Sequence, residues 1–341
     1  MKKNRKKRCI RLIILFLVIV IVGVGVAWYK GWLDSFLSEN LTFGVLVERR
    51  SFEAFDTNSN ERPIAVMIDN IRPAWPHVGL ADAYVIYEII VEGGQTRLMA
   101  IFKDQTTAQI GPVRSARHYF LDYALEHDAL YMHFGGSPQA RTDIRRLNVD
   151  DINGMRNSAS WRERGRRSPH NVIASIESMQ SAARATNSRM TSDQGPALPY
   201  SHSRINLSER EDSRVANNIT LRYSPSHTTR WRFNAETGLY TRSMNNIEHR
   251  DGRTNQPYTF KNILIINARV TNLDGRGRRD IQTTGTGTGY FVTKGHAIPI
   301  TWEKPTRGAR TIYRDLEGNN IRINDGKTFI QVFPSTQTVT F

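Results

Sequence analysis

Apolar and polar positions along this chain change character twice before any globular pattern begins. Leu12–Trp28 is an unbroken apolar run with no charged residue, and residues 34–60 are polar and acidic. From Arg62 onward short apolar runs recur. Ile64–Asp69 reads as a buried strand. Ala83–Glu92 and Thr96–Phe102 alternate with period two around Gly93-Gly94, the pattern of a hairpin closed by a two-residue primed turn. In that register Val85, Tyr87, Ile89 and Val91 share the core face, and Glu88 and Glu92 share the other. Arg97 then sits opposite Ile90, between the two carboxylates. Pro112–His127, Pro138–Leu147 and Val172–Ala185 read as helices, and Ala129–Phe134 as a strand.

Between Asn187 and His227 the composition shifts to Ser, Asn, Thr, Arg and Pro with little periodicity, which marks a linker with at most one short element. From Thr228 onward, alternating runs are punctuated by turn signals such as Asp251-Gly252 and Asn324-Asp325-Gly326. The expected fold class is therefore α+β. A cytoplasmic basic tail and transmembrane helix occupy residues 1–33 and a stalk 34–60. A mixed α/β domain spans 61–186, a linker 187–227 and a small β-rich domain 228–341.

Charge locates the chain relative to a membrane. Residues 1–11 carry seven basic residues and no acid. The 17-residue apolar run that follows is at the short end of the spanning range of roughly 17–25. The positive-inside rule puts the tail in the cytoplasm and everything after residue 33 outside. An uncleaved anchor is favoured over a cleaved signal peptide ending near Gly25-Val26-Ala27, because the apolar run exceeds a typical signal core. Cys9, the single cysteine, precedes the run, whereas a lipoprotein cysteine follows it, and one cysteine allows no internal disulfide. The net charge of +15 resembles a nucleic-acid footprint until it is located. Nearly half belongs to the tail, and residues 61–190 are close to neutral, so no nucleic acid is expected as a partner. Arginine outnumbers lysine 37 to 10, which reads either as bidentate anion recognition or as compositional drift.

Three junctions carry polar groups where apolar runs end. Asp69-Asn70 closes the first strand, with Arg72 in the proline-bearing loop beyond. Gly111–Arg117 opens a predicted helix with Pro112 at its first position. Arg114 and Arg117 there oppose the helix dipole, as an anion held with Ser115 at that terminus would require. Alternatively the two arginines pair with Asp69, Glu88 or Glu92 as scaffolding. His133-Phe134-Gly135-Gly136-Ser137-Pro138 is either a second anion cradle or a helix capped by Ser137. Arg162, Arg164, Arg166 and Arg167 read as a solvated basic loop, followed by His170 and by Asn171 as a helix cap. The histidines show no metal-ligand spacing, and no cofactor motif is present.

Arg62–Asn70, Tyr87-Glu88 to Arg97, Ile110–Arg117, His133–Ala140 and Pro169-His170-Asn171 together resemble the YerB-like family of bacterial envelope lipoproteins. The resemblance continues through Asp274-Gly275-Arg276, Gly285–Tyr290 and Trp302, and covers roughly residues 50–335. It implies an extracytoplasmic two-domain protein of a Gram-positive-type bacterium, and it implies no reaction. The chain departs from the family pattern in lacking a lipid-attachment motif.

The preferred functional expectation is binding of an anionic envelope polymer, a carboxylate or a protein partner in one charged cleft. Asp69, Asn70, Arg72, Glu88, Glu92, Arg97, Arg114, Ser115, Arg117, His133, Ser137, His170 and Asn171 would line it. The alternative is a hydrolase or transferase acting on cell-wall polymers, with Glu88, Glu92 or Asp69 as acid or base and His133 as shuttle. A third reading makes the charges scaffold alone and leaves the β-rich domain to meet a partner.

Overall fold

In the computed structural model, which describes residues 52–341, a ten-strand path crosses the molecule. Five of its strands come from the first half of the chain. They are β1 (Ile64–Asp69), β2 (Val85–Ile90), β3 (Thr96–Phe102), β4 (Leu130–His133) and β5 (Asp151–Asn153). The strand Thr328–Pro334, near the C-terminus, pairs in parallel with β2 on one side and with Asn262–Ala268 on the other. Gly285–Thr293, His296–Lys304 and Ile312–Arg314 continue the sheet antiparallel from there. One sheet thus joins residues about 240 positions apart, from Val85↔Thr328 to Ile89↔Val332. Strands buried on both faces read as near-continuous apolar runs, and β1 to β3 are buried at every position, with Asp69, Glu88, Thr96 and Arg97 as their polar exceptions.

Each face of this sheet has its own cover. A smaller sheet, with Asn218–Ser224, His227–Asn234 and Leu239–Met244 at its centre, packs on one face. There Trp231 meets Phe329 at 4.9 Å and Tyr223 meets Phe333 at 5.1 Å between ring centroids. Two helices, α1 (His118–Glu126) and α2 (Pro138–Arg146), pack together on the other face, and a third, α3 (Ile176–Ala185), follows the strand Val172–Ala174. Tyr123 of α1 stacks on Tyr87 of β2 at 4.6 Å.

The expected fold class is corrected. Among the described residues the fold is mostly β, with 41% strand against 13% helix, so the three α-helices found there are a cover rather than half of an α+β fold. The helical share falls short because two predicted helices begin late. Residues 112–116 are extended, wedged between β1 and the segment after β4: Arg114 N–H donates to Met67 O at 2.8 Å, and Phe134 N–H to Arg114 O at 3.0 Å. The helix starts only at His118. Likewise Val172–Ala174 is a strand, and α3 is capped by Ser175, whose hydroxyl accepts from Ser178 N–H, not by Asn171. The predicted linker also holds strands, at 200–201, 214–215 and 218–224. The tail and the transmembrane helix expected over 12–28 lie outside the described residues. Among the described residues no helix is long and apolar enough to cross a membrane.

Candidate functional site

β1, β2 and β4 run in the same direction, so Asp69, Glu92 and His133 emerge at one edge of the sheet. Ligands of open sheets bind beyond such carboxyl ends. Arg97 starts the antiparallel β3 at that edge, directly opposite Asp69. The extended strip 113–117 crosses the same edge and brings Arg114, Ser115 and Arg117 alongside.

The hairpin register differs by one residue from the expected one. A three-residue turn, Glu92–Gly94, closes it, with Gly93 and Gly94 at φ 67° and 69°. Arg97 therefore opposes Ile89, and Glu88 opposes Leu98. A one-residue slip sends every side chain to the other face. Arg97 and Glu88, expected to be neighbours, lie on opposite faces of the sheet.

Glu88 faces the small sheet and is sealed there. Its carboxylate accepts from Arg242 Nη2 at 2.7 Å, Thr96 Oγ1 at 2.8 Å and Asn70 Nδ2 at 3.1 Å, with His227 Nε2 at 2.9 Å. Burial alone would raise this carboxyl, but the Arg242 charge and the His227 and Thr96 contacts hold it at about 2. Arg242 also lies 3.2 Å from His249 Nδ1, and His249 Nε2 lies 2.6 Å from His77 Nδ1. All these groups are buried. The cluster fastens the two sheets together and offers nothing to a ligand. Arg242, His227, His249 and His77 were absent from the sequence-derived set. The available signal was phase: Arg242 alternates in step with buried Tyr240 and Met244, and His227 with Thr229 and Trp231.

The opposite face is less completely satisfied. Arg114 Nε pairs with Asp69 Oδ2 at 3.1 Å, and His170 Nδ1 meets the same oxygen at 2.7 Å. Arg117 grips Glu92 bidentately at 2.7 and 2.9 Å. His133 is held between Asp151 Oδ2 at 2.9 Å and Gly135 O at 2.7 Å. Ser137 caps α2, accepting from Ala140 N–H at 3.1 Å, and Asn171 accepts from Arg162 at 2.7 Å. Arg72 is exposed, 5.9 Å over the Trp75 ring. Glu88, Glu92 and Asp69 are each bound to an arginine, which leaves none of them free as an acid or base.

Arg97 is the exception. It is 7% exposed, yet among the described residues no carboxylate lies within ion-pair distance of it. Its one hydrogen bond runs from Nη1 to Ser115 O at 2.6 Å. Burial and the neighbouring Arg117 charge pull its pKa down to about 10, against the pull of Asp69 and Glu92. A buried cation lacking a partner is costly. Arg114, whose one ionic partner among the described residues is Asp69, lies on the strip whose Ser115 carbonyl accepts from Arg97.

A separate cavity of about 380 Å³ opens beside α1, lined by His118, Asp122, Asp143, Arg269, Asp280 and Arg307 among others. Arg307 bridges Asp122 and Asp143 at 2.5 and 2.6 Å. Burial holds the Asp122 carboxyl above its ordinary range despite Thr283 and Arg307. Among the described residues no group of three or more His, Cys, Asp or Glu could hold a metal ion.

Comparison with known proteins places this architecture. Residues 52–189 match the model of the N-terminal domain of a protein family of unknown function, DUF3048, and residues 219–330 match its C-terminal domain. A Bacillus subtilis protein described as "Putative lipoprotein YerB" is 30% identical over 281 residues, 81% of this chain and 82% of that one. The crystal structure of the YerB protein from Bacillus subtilis superimposes with a TM-score of 0.73 at 28% identity, covering 82% of this chain and 94% of that one. With both domain models matched in order and most of the length shared, this chain belongs to the DUF3048, YerB-like family.

Proposed function

We propose that this protein is held at the outer face of the cell membrane through residues 12–28 and binds an anionic envelope ligand, bearing phosphate or carboxylate groups, at the sheet edge around Arg97 and Arg114. The location rests on the basic tail before an apolar run and on the lipoprotein description of the Bacillus relative. The ligand class rests on one observation: Arg97 is a nearly buried guanidinium with no anionic partner among the described residues. A planar fork with unused donors recognises carboxylate or phosphate.

Titration with glycerol 3-phosphate and with poly(glycerol phosphate) oligomers tests this, against the wild type and Arg97→Gln. A charge-assisted contact is worth about 1.5–3 kcal/mol, so the substitution is expected to weaken binding about 10- to 100-fold. Equal affinity of the two proteins would refute the reading.

A second reading, a hydrolase or transferase of wall polymers, draws on a different observation. Asp122, whose carboxyl burial shifts upward although Arg307 and Thr283 engage it, lines an open cavity with His118, and an upward shift is the direction a general acid needs. Release of reducing ends or phosphate from purified cell wall by the wild type, absent in Asp122→Asn, would establish it. No release from either protein would dismiss it.

A further inference from the structure

The loop that walls the Arg97 site on one side carries an unusual surface. Met155 is 64% exposed and Trp161 is 41% exposed, in a stretch bounded by the end of β5 and by the strand Ser160–Arg162. Five arginines and one glutamate lie between Met155 and Arg167. Glu163 is spoken for by Arg166 and Arg253. Arg156, Arg164 and Arg167 are exposed and have no side-chain partner among the described residues. Large apolar side chains interleaved with free cations are the composition of a surface that meets anionic lipid. Tryptophan settles at the headgroup level, and each arginine near the surface adds roughly fivefold in partitioning.

This surface is continuous with the anion site. A Cβ placed on Gly135 would lie 2.9 Å from Met155 Sδ and 3.7 Å from Ser115 Oγ, and it is the Ser115 carbonyl that receives Arg97. Arg162, next to Trp161, reaches back over the Phe134 ring at 5.3 Å and donates to Asn171. The apolar rim and the strip whose Ser115 carbonyl holds the buried guanidinium are therefore neighbours across Gly135.

We infer that the ligand of this site is the phosphate headgroup of an anionic phospholipid, and that the 154–164 loop docks on the bilayer surface that presents it. The inference rests on the anion-binding reading above and adds the source of the anion. Arg97 and Arg114 take the phosphate, Met155 and Trp161 enter the headgroup layer, and Arg156, Arg164 and Arg167 contact neighbouring headgroups.

The test uses the full chain in nanodiscs of phosphatidylcholine alone, or with about one third phosphatidylglycerol, followed by hydrogen exchange read peptide by peptide. Amides of residues 154–164 and 112–117 are expected to exchange about tenfold more slowly in the anionic discs. A Met155→Ser, Trp161→Ser double variant, altered only at exposed positions, is expected to lose that protection while still binding soluble glycerol 3-phosphate. Arg97→Gln is expected to lose both. Glycerol 3-phosphate binding by the wild type without lipid-dependent protection would overturn the bilayer inference and leave the anion site standing. Absence of both effects would overturn both. Equal protection in the two kinds of disc would also overturn the headgroup assignment.

Discussion

Two buried arginines on opposite faces of the same sheet behave in opposite ways. Arg242 is fully enclosed, with Glu88, Thr229 and His249 engaging its two terminal nitrogens, while its Nε has no partner among the described residues. Arg97 is almost as enclosed but makes a single hydrogen bond, to a main-chain carbonyl. Desolvating a guanidinium costs several kcal/mol wherever it happens. At Arg242 the cost is offset inside the fold. At Arg97 no carboxylate among the described residues comes within ion-pair distance to do the same, and we read this as a charge kept for a ligand. On the proposed reading the difference separates a fastening from a receptor, and the local sequences, Thr96-Arg97-Leu98 and Thr241-Arg242-Ser243, do not announce it.

The largest expected effect breaks the fastening. Arg242→Met leaves the Glu88 carboxylate buried without its main counter-charge, and about 3–5 kcal/mol of unfolding free energy should be lost. Urea denaturation measures it, and a loss under about 1 kcal/mol would mean that the pair is not holding the sheets.

Acid attacks the same region next. His77 is buried and neutral, its pKa lowered to about 4 by burial foremost, with the Arg242 charge adding to the effect. His249 is likewise held well below its ordinary value, by burial foremost and by His77 and Arg242. An unfolded histidine titrates near 6.5, so between about 6.5 and 4 the unfolded chain binds the extra protons. Stability is complete above about 6.5 and falls as pH drops through that window, by roughly 3 kcal/mol for His77 alone. Glu88 adds a second loss, present above its unfolded value near 4.3 and removed as pH falls toward about 2. Melting temperature against pH checks both. His77→Gln should flatten the upper window and spare the lower one.

A smaller effect sharpens the comparison at the edge itself. Ser137 was expected either to hold a ligand or to cap a helix, and its hydroxyl is engaged as the cap of α2. Ser137→Ala should cost about 1 kcal/mol and leave glycerol 3-phosphate affinity unchanged. A loss of affinity equal to that of Arg97→Gln would put the hydroxyl back among the ligand contacts.

Local signals in the sequence located much of this. The apolar runs of β1, β2 and β3, the strand at 130–133 and the Ser137-Pro138 helix start all stand where periodicity and capping put them. Relations between elements were harder to read. Gly93-Gly94 announces a turn, but whether two or three residues close it decides on which face Arg97 lies, and both lengths suit glycine. The strip 112–117 carries a proline that fits a helix start equally well. Its extended form comes from main-chain bonds to β1 and to Phe134, residues distant in sequence. The partner of Glu88 was hidden for the same reason: Arg242 is 154 positions away, and a small sheet must first fold over β2 before the two meet. The mostly β character emerged with the short strands inside the stretch read as a linker and with the extended starts of two predicted helices.

The most direct measurement is urea denaturation of Arg97→Met beside the wild type, in buffer without phosphate. If Arg97 is a charge kept for a ligand, removing it relieves an unpaired buried cation, and stability stays level or rises by up to about 1 kcal/mol. A loss of several kcal/mol, comparable to that of Arg242→Met, would show that Arg97 is a second fastening and would contradict the account.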